Sequence, residues 1–390
     1  MHQPPTFEKT FSRWKILLAV AIGISVSAIM LYNGLSQVQF TSCTPGDGDY
    51  EWVDGNKNGA IDQSDQTDFR YKENGNYRII DGLDALGSIS WSTSSLLWIL
   101  GAFIFTIFRD FFYVLRIRLL TKNQLGWKAA IYVILLWEFA SALSPGAVGG
   151  AAVAMFILNR ETIPFGKATA IVIITAFMDN LFFVVMIPIV FLFVSNSGVF
   201  PPEEAFSSGL TWWFWFGFLI ILSVCLLLYL TIFWYPTLAT RFLLFVFKIP
   251  FLKRWRIVAA EWGKDIETAA KEFKQEPFSY WLTVFCATFL SWTSRYLVIN
   301  AILNAFLYLG FIDNIKVLGK QLVLWLFMLI SPTPGGSGVA EFAFGELLST
   351  FSSSAVLLAA LALLWRLISY FPYLFIGSLL LPSWIKRTRS

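Results

Sequence analysis

Ser331-Pro332-Thr333-Pro334-Gly335-Gly336-Ser337-Gly338 interrupts an apolar stretch that runs from about residue 317 to about residue 350. Proline removes a backbone N–H and clashes with the preceding turn, and glycine leaves the backbone unconstrained, so a continuous helix does not pass through such an octet. A second interruption, Ser144-Pro145-Gly146-Ala147-Val148-Gly149-Gly150, divides the apolar stretch from about 129 to about 158. Irregular backbone survives at membrane depth only where it is buried in protein or lines a wet cavity. Broken apolar segments at corresponding positions in two halves of a chain are the pattern of an inverted-repeat transporter, with its binding site at the breaks. The competing reading is two kinked but complete crossings.

Composition sets the solvent. Hydrophobic residues make up 57% of the 390 and charged residues 14%, well under the roughly one quarter charged in soluble domains. Apolar runs at about 16–31, 94–115, 168–194, 211–233, 280–307 and 355–381 approach or exceed the roughly 17 to 25 residues of a spanning helix. The first run follows Lys9, Arg13 and Lys15 and lacks a small-x-small cleavage site close behind, so it reads as a retained helix. The single histidine, His2, speaks against histidine-based metal or acid–base chemistry. Of the three cysteines, Cys225 and Cys286 fall in apolar runs, so no disulfide framework is expected. Neither a nucleotide-binding loop nor a nucleic-acid-binding pattern is evident.

Loop charges decide between the two readings of the breaks. Residues 37–92 carry ten acids and four bases and are expected outside, whereas residues 234–280 carry eight bases and five acids and are expected inside. Arg116, Arg118, Lys122 and Lys128 follow the second run, and Lys386, Arg387 and Arg389 follow the last, so both ends read as cytoplasmic. These assignments agree only if each broken segment enters and leaves on one side. The expected fold is all-α and polytopic, with about six full spans and two opposed re-entrant helical hairpins in an inverted repeat. The expected divisions are 1–36 (first helix), 37–92 (outer loop), 93–385 (transmembrane domain, with a cytoplasmic amphipathic segment in 234–280) and 386–390 (tail).

Ionisable residues inside apolar segments mark candidate function, because a charge at the bilayer centre costs about 2.5 to 3.5 kcal/mol on insertion scales. Glu138, Asp179, Arg295, Glu341 and Arg366 are such residues. The two arginines suit a lipid phosphate, since guanidinium binds phosphate through parallel donors. The helix starts after Gly150 and Gly338 offer N–H groups and a positive dipole end. The substrate pathway is therefore expected to include Glu138, Pro145, Gly149, Gly150, Asp179, Arg295, Pro332, Pro334, Gly335, Gly336, Glu341 and Arg366. Structural ion pairing is the plainer alternative for any one of them. Arg109 and Asp110, within two turns of a helix end, are expected to snorkel. Trp212, Trp213, Trp215 and Trp384 are expected at the membrane interfaces.

The outer loop contains Asp54-Gly-Asn56-Lys-Asn58-Gly-Ala60-Ile-Asp62-Gln-Ser-Asp65. Calcium takes six to eight hard oxygens, and this spacing places Asp54, Asn56, Asn58, the Ala60 carbonyl, Asp62 and Asp65 at the ligand positions of a calcium loop, with Gly59 at the sharp turn. Aspartate at the last position is more like a dockerin loop than an EF-hand. Ca²⁺ is the one cofactor expected, and its expected role is to fold a loop with almost no core.

The Pro332–Glu341 segment resembles the P-T-P-G-G-x-G-x-x-E signature of the lysylphosphatidylglycerol synthase transmembrane, flippase-like family. Pro145, Gly146, Gly149 and Gly150 resemble its P-G-x-x-G-G element, Arg116-Ile-Arg118-Leu its basic stretch, and Asp179 an acidic position of the next helix. Ala151 and Asn180 depart from it, where an acid and an arginine are frequent. The resemblance implies lipid translocation across the cytoplasmic membrane without lipid synthesis. The lipid, of phospholipid or related anionic or aminoacylated type, stays open, as do self-association and pathway partners. A calcium-responsive sensor or accessory subunit is the alternative, and a membrane-embedded transferase ranks below it.

Overall fold

The structure, a computed structural model, describes residues 38–55, 61, 63, 65–87, 89, 91–144, 148–200, 209–235, 237–246, 256–331, 333–352 and 354–388, with scattered helical positions between 21 and 36. The first expected span otherwise lies outside the described residues. Among the described residues, five helical segments are long and apolar enough to cross a membrane: Thr93–Leu120, Phe165–Phe193, Leu210–Trp234, Phe278–Leu307 and Ala355–Thr388. They coincide with the other five expected spans, so the chain is a helical multi-pass membrane protein.

In chain order the main helices are α1 (Thr93–Leu120), α2 (Trp127–Leu143), α3 (Val148–Arg160), α4 (Phe165–Phe193), α5 (Leu210–Tyr229), α6 (Thr237–Val246), α7 (Arg256–Lys274), α8 (Phe278–Leu307), α9 (Phe311–Ile330), α10 (Val339–Leu348), α11 (Ala355–Ser369) and α12 (Phe371–Thr388). Helix α1 starts at a reciprocal cap, in which the Ser92 hydroxyl accepts from the Ser95 N–H at 3.1 Å and the Ser95 hydroxyl from the Ser92 N–H at 3.4 Å. Its outer face carries Leu96, Leu97, Leu100, Phe103 and Ile107, all exposed, while Arg109, Tyr113 and Arg116 are buried. This inside-out distribution is what hydrocarbon surroundings require.

Both breaks form helical hairpins with their two feet at one end of the bundle. Helix α2 starts beside the end of α1, where the Arg118 guanidinium covers the Trp127 ring at 4.0 Å. Helix α3 returns to the same end, where Arg160 donates to Thr388 and Glu161 pairs with Arg387. The second hairpin, α9 and α10, has both feet at the opposite end. Asn314, in the first turn of α9, is bonded to Asn304 near the end of α8, and α10 runs out into a short turn at Ser349–Phe351, just before Ser354. The two apolar cores follow this division. One gathers α2, α3, the first half of α4 and α12; the other gathers the second half of α4, α8, α9, α10 and α11.

The last span is not one helix, because the chain breaks at Tyr370 between α11 and α12. Helix α12 lies against α2 so closely that a Cβ at Gly377 would overlap the Phe139 ring. The segment after α5 continues as a π-helical turn, Leu230–Trp234. Beyond it α7 lies against α4 and buries Phe273. Lys122 reaches Glu276 at 2.7 Å and Glu272 at 3.0 Å, and Lys167 reaches Glu272 at 3.5 Å. The hydrogen bond to Glu276 holds the Lys122 ammonium above its ordinary pKa, and the hydrogen bond from Lys122 holds Glu272 below its own.

The loop at 37–92 has more internal structure than its composition suggests. It forms a four-stranded antiparallel sheet from β1 (Gln39–Ser42), β2 (Gly48–Trp52), β3 (Phe69–Gly75) and β4 (Tyr77–Ile80), in the order β1-β4-β2-β3. Phe40 and Phe69 stack at 4.1 Å, with Tyr50 and Tyr77 edge-on to them at 5.1 and 5.0 Å. This aromatic cluster is the core that the expectation of an almost coreless loop missed. Ser354 ties the sheet to the start of α11 by donating to Gln39 at 3.0 Å; this end is the sheet end below, and the other is the basic end.

Two outcomes follow. Gly377→Val overpacks the α2–α12 contact and should cost about 1–3 kcal/mol, read as a lower melting temperature in detergent, whereas Gly101→Val, which meets open space, should not. Glu272, held below its ordinary pKa, stabilises the docking of α7 above that range and loses this as pH falls through its lowered value. Protection of the α7 amides, measured relative to their intrinsic exchange rate at each pH, should therefore fall as pH drops through the lowered Glu272 pKa, and Glu272→Gln should flatten that change.

Candidate functional site

The two hairpin loops meet inside the bundle. The Gly335 N–H donates to the Ser144 carbonyl at 3.5 Å, one loop touching the other. Gly335, Gly336 and Gly338 have φ of +58°, +68° and +90°, conformations that only glycine adopts without strain. A Cβ at Gly335 would also collide with the Tyr370 ring. Tyr370 in turn donates its hydroxyl to the Ala142 carbonyl of the first hairpin at 3.2 Å.

A buried ion pair secures the second loop. Arg366 on α11 donates from Nε to Glu341 Oε1 at 2.8 Å and from Nη2 to Oε2 at 3.3 Å. Its Nη1 donates to the Gly335 carbonyl at 3.2 Å. Glu341 Oε2 also accepts the Gly338 N–H at 2.6 Å, which caps α10. Both side chains are 2% exposed. The Gly338 N–H, expected to stand open to a ligand, is thus taken by Glu341.

A cavity of about 290 Å³ opens beside this junction. Its charged lining is Arg116, Glu138, Asp179, Arg295 and Arg366, with Gly335 and Gly336 at the loop and a wall of Tyr113, Trp137, Trp292, Trp325, Trp365, Tyr370 and Tyr373. Arg116 donates to Asp179 at 2.5 Å, and the Trp292 indole donates to the same carboxylate oxygen at 2.8 Å. Glu138 pairs with Arg109 of α1. Behind it, Asp110 accepts the Tyr373 hydroxyl at 2.8 Å and lies 3.9 Å from Arg109. Arg295 differs from these three arginines. No carboxylate among the described residues lies within ion-pair distance of it, and its guanidinium lies over the Trp292 ring at 5.2 Å.

A family model described as the lysylphosphatidylglycerol synthase TM region matches residues 82–377, a span that holds both breaks and every cavity residue. The chain belongs to this family. A UPF0104 membrane protein of Archaeoglobus fulgidus is 24% identical over 307 residues, which cover 75% of this chain and 88% of the relative. No solved structure matches. The family match leaves out β1 to β4.

Within the lysylphosphatidylglycerol synthase TM-region domain, Glu138, Asp179, Arg295, Gly335, Gly336 and Arg366 share the cavity wall, with Glu341 directly behind Arg366. Gly150 lies in the first turn of α3, where a Cβ would overlap Ser141, so it serves the close approach of α2 and α3. Pro334 is half-buried in the second loop. Pro145 and Pro332 lie outside the described residues, as do Asn56, Asn58, Ala60 and Asp62 of the calcium-like loop; Gly149 is described only as helical backbone. Asp65 accepts the Thr67 N–H at 2.8 Å and caps a 3-10 turn, and Asp54 has φ of +47°.

Four expectations need correction. Arg109 does not snorkel, being 2% exposed and bound to Glu138, and Asp110 points to Tyr373. Arg116 is not part of a cytoplasmic basic surface; it is buried against Asp179, while Arg118 stays at the basic end on Trp127. Trp384 is fully buried and donates to Glu161 at 2.7 Å, unlike the exposed Trp212 and Trp213. For Arg109, Arg116 and Trp384 an acid from another segment supplies the partner, and for Asp110 the Tyr373 hydroxyl does, which distance from a helix end does not reveal. Lys320 was missed altogether. It is 2% exposed on α9, with its ammonium 5.9 Å from the Phe351 ring; a lysine midway along an apolar helix, one turn beyond Lys316, was the available signal.

Arg366→Ala leaves the Glu341 carboxylate buried without its cation and should cost about 3–5 kcal/mol, read from thermal unfolding in detergent. The Arg366→Ala/Glu341→Ala double variant should recover part of that loss.

Proposed function

We propose that this protein translocates a phosphate-bearing lipid across the membrane, with the headgroup passing through the cavity between the two hairpin loops. The observation that carries the reading is Arg295. It is a half-buried guanidinium on the wall of an internal cavity, without a carboxylate partner among the described residues, beside three arginines that each have one. A guanidinium held away from water needs a counter-charge, and a phosphate matches its paired donors. The aromatic wall gives the first carbons of the acyl chains an apolar surface. Membership of the lysylphosphatidylglycerol synthase TM-region family supports a flippase-like role over group transfer.

Opposed hairpins suit this task. Each dips in from one end and returns, so the septum between the two sides is thin at the loops. We place the basic end, with Lys122, Arg160, Lys167 and Arg387, in the cytoplasm and the sheet outside, because basic loops are retained inside. The cytoplasmic (plasma or inner) membrane is the proposed location, and Arg366 and Glu341 hold the loop rather than the lipid.

The test is translocation of fluorescent phospholipids in proteoliposomes. Arg295→Gln should slow headgroup-dependent flipping about tenfold, as the loss of a charge-assisted bond would, with Arg295→Lys intermediate. Unchanged flipping in Arg295→Gln, or no flipping of any phospholipid by folded protein, sinks the proposal.

A further inference from the structure

Three of the four arginines on the cavity wall or directly behind it have a carboxylate of their own: Arg109 has Glu138, Arg116 has Asp179 and Arg366 has Glu341. Setting these pairs aside leaves two charges among the described residues there, Arg295 and Asp110. Asp110 lies on α1, about 15 Å from the basic end at a rise of about 1.5 Å per residue, and so near mid-depth. Arg109, 3.9 Å from it, is already neutralised by Glu138. The groups that face Asp110 are Arg109 on its own helix, Glu138 on α2, Arg295 on α8 and Tyr373 on α12. The four arginines and the four carboxylates balance as they stand.

A phosphodiester drawn to Arg295 upsets that balance by one negative charge, and an unbalanced charge away from water is costly. Uptake of one proton by a carboxylate restores it. The four acids differ in how readily their surroundings allow this. Glu341 takes three N–H donors, two from Arg366 and one from Gly338, and none of these can turn to accept. Asp179 takes the Arg116 guanidinium and the Trp292 indole, which likewise only donate. Glu138 takes the Arg109 guanidinium. Asp110 is bound by a hydroxyl instead: Tyr373 donates to its Oδ2 at 2.8 Å and its Oδ1 at 2.9 Å. A hydroxyl both donates and accepts. Once Asp110 is protonated, its carboxyl O–H donates to the Tyr373 oxygen, and the contact survives with its direction reversed. Tyr373 is itself a residue of the cavity wall. Holding α1 against α12 would need only a neutral partner for that hydroxyl, whereas a carboxylate without a cation of its own is costly at this depth.

Resting on the reading of the cavity as a lipid path, we propose that Asp110 is a proton-binding site and that the lipid anion crosses together with one proton, driven by a proton gradient. A proton from cavity water forms the O–H bond on Asp110 as the phosphate reaches Arg295. The same proton returns to water on the far side as the phosphate departs. Tyr373 is a positioning residue that holds the carboxyl in both states.

The experiment measures the leaflet distribution of fluorescent phosphatidylglycerol in proteoliposomes of phosphatidylcholine, by dithionite quenching. A gradient of about one pH unit is imposed, and the membrane potential is clamped with potassium and valinomycin. Protein-free vesicles set the baseline. One proton per lipid gives about tenfold enrichment in the leaflet on the alkaline side, the ratio that one pH unit sustains. Asp110→Asn, a fixed mimic of the protonated carboxyl, should bring that ratio to about one, and Asp110→Glu should keep it. Tyr373→Phe should slow the approach to the enriched state without moving its end point. Dicyclohexylcarbodiimide, which reacts with protonated carboxyls, supplies a test that needs no variant. It should label Asp110 of the wild-type protein, more so with phosphatidylglycerol present, and abolish the enrichment. Equal leaflets with a wild-type protein that still flips the lipid overturn the inference and leave lipid translocation standing. Enrichment that survives in Asp110→Asn, or no label at Asp110, overturns Asp110 as the site. Failure to move any lipid counts instead against the cavity as a lipid path, and proton coupling falls with it.

Discussion

The Arg366–Glu341 pair is the constraint from which the site takes its shape. One carboxylate caps α10, accepts two N–H groups from one edge of a guanidinium and so fixes a loop of three glycines in left-handed conformations. The same guanidinium holds the Gly335 carbonyl. Without that anchor an irregular loop in an apolar interior would expose peptide groups to hydrocarbon, each at a cost of several kcal/mol. With it, the loop stays short and ordered at the place where the first hairpin arrives. The cavity exists because two loops meet there instead of two packed helices.

The first hairpin is held differently. Its Glu138 binds Arg109 of α1, and Tyr370 accepts the task of linking α2 to the second loop through the Ala142 carbonyl. Pairs such as Arg116–Asp179 and Arg109–Glu138 neutralise most of the charge brought into the bundle. They leave a polar interior that is almost balanced, with Arg295 the cavity arginine that has no carboxylate within ion-pair distance among the described residues. The structural and functional readings of buried charges are thus divided among different arginines of one cavity.

Much of this was legible in the sequence, for a physical reason. Prolines and glycines within apolar runs, and charges within spans, are costly in lipid, so they stand out; Glu138, Asp179, Arg295, Glu341 and Arg366 were found that way. Partners were not legible, since Arg109 and Arg116 look like ordinary basic residues near a helix end until Glu138 and Asp179 are brought to them from 29 and 63 residues away. The sheet was missed because its aromatic residues alternate weakly among acids and glycines, and its pairing connects β1 with β4 across the whole loop.

The break in the last span has a mechanical meaning. The ring of Tyr370 underlies Gly335 on one side, and its hydroxyl holds Ala142 on the other. A single phenol, carried at the joint between α11 and α12, is therefore wedged between the two loops like the pivot of a seesaw. A shift of either hairpin would have to displace this ring or break its contact with the other, so one residue's size and position couple the two segments.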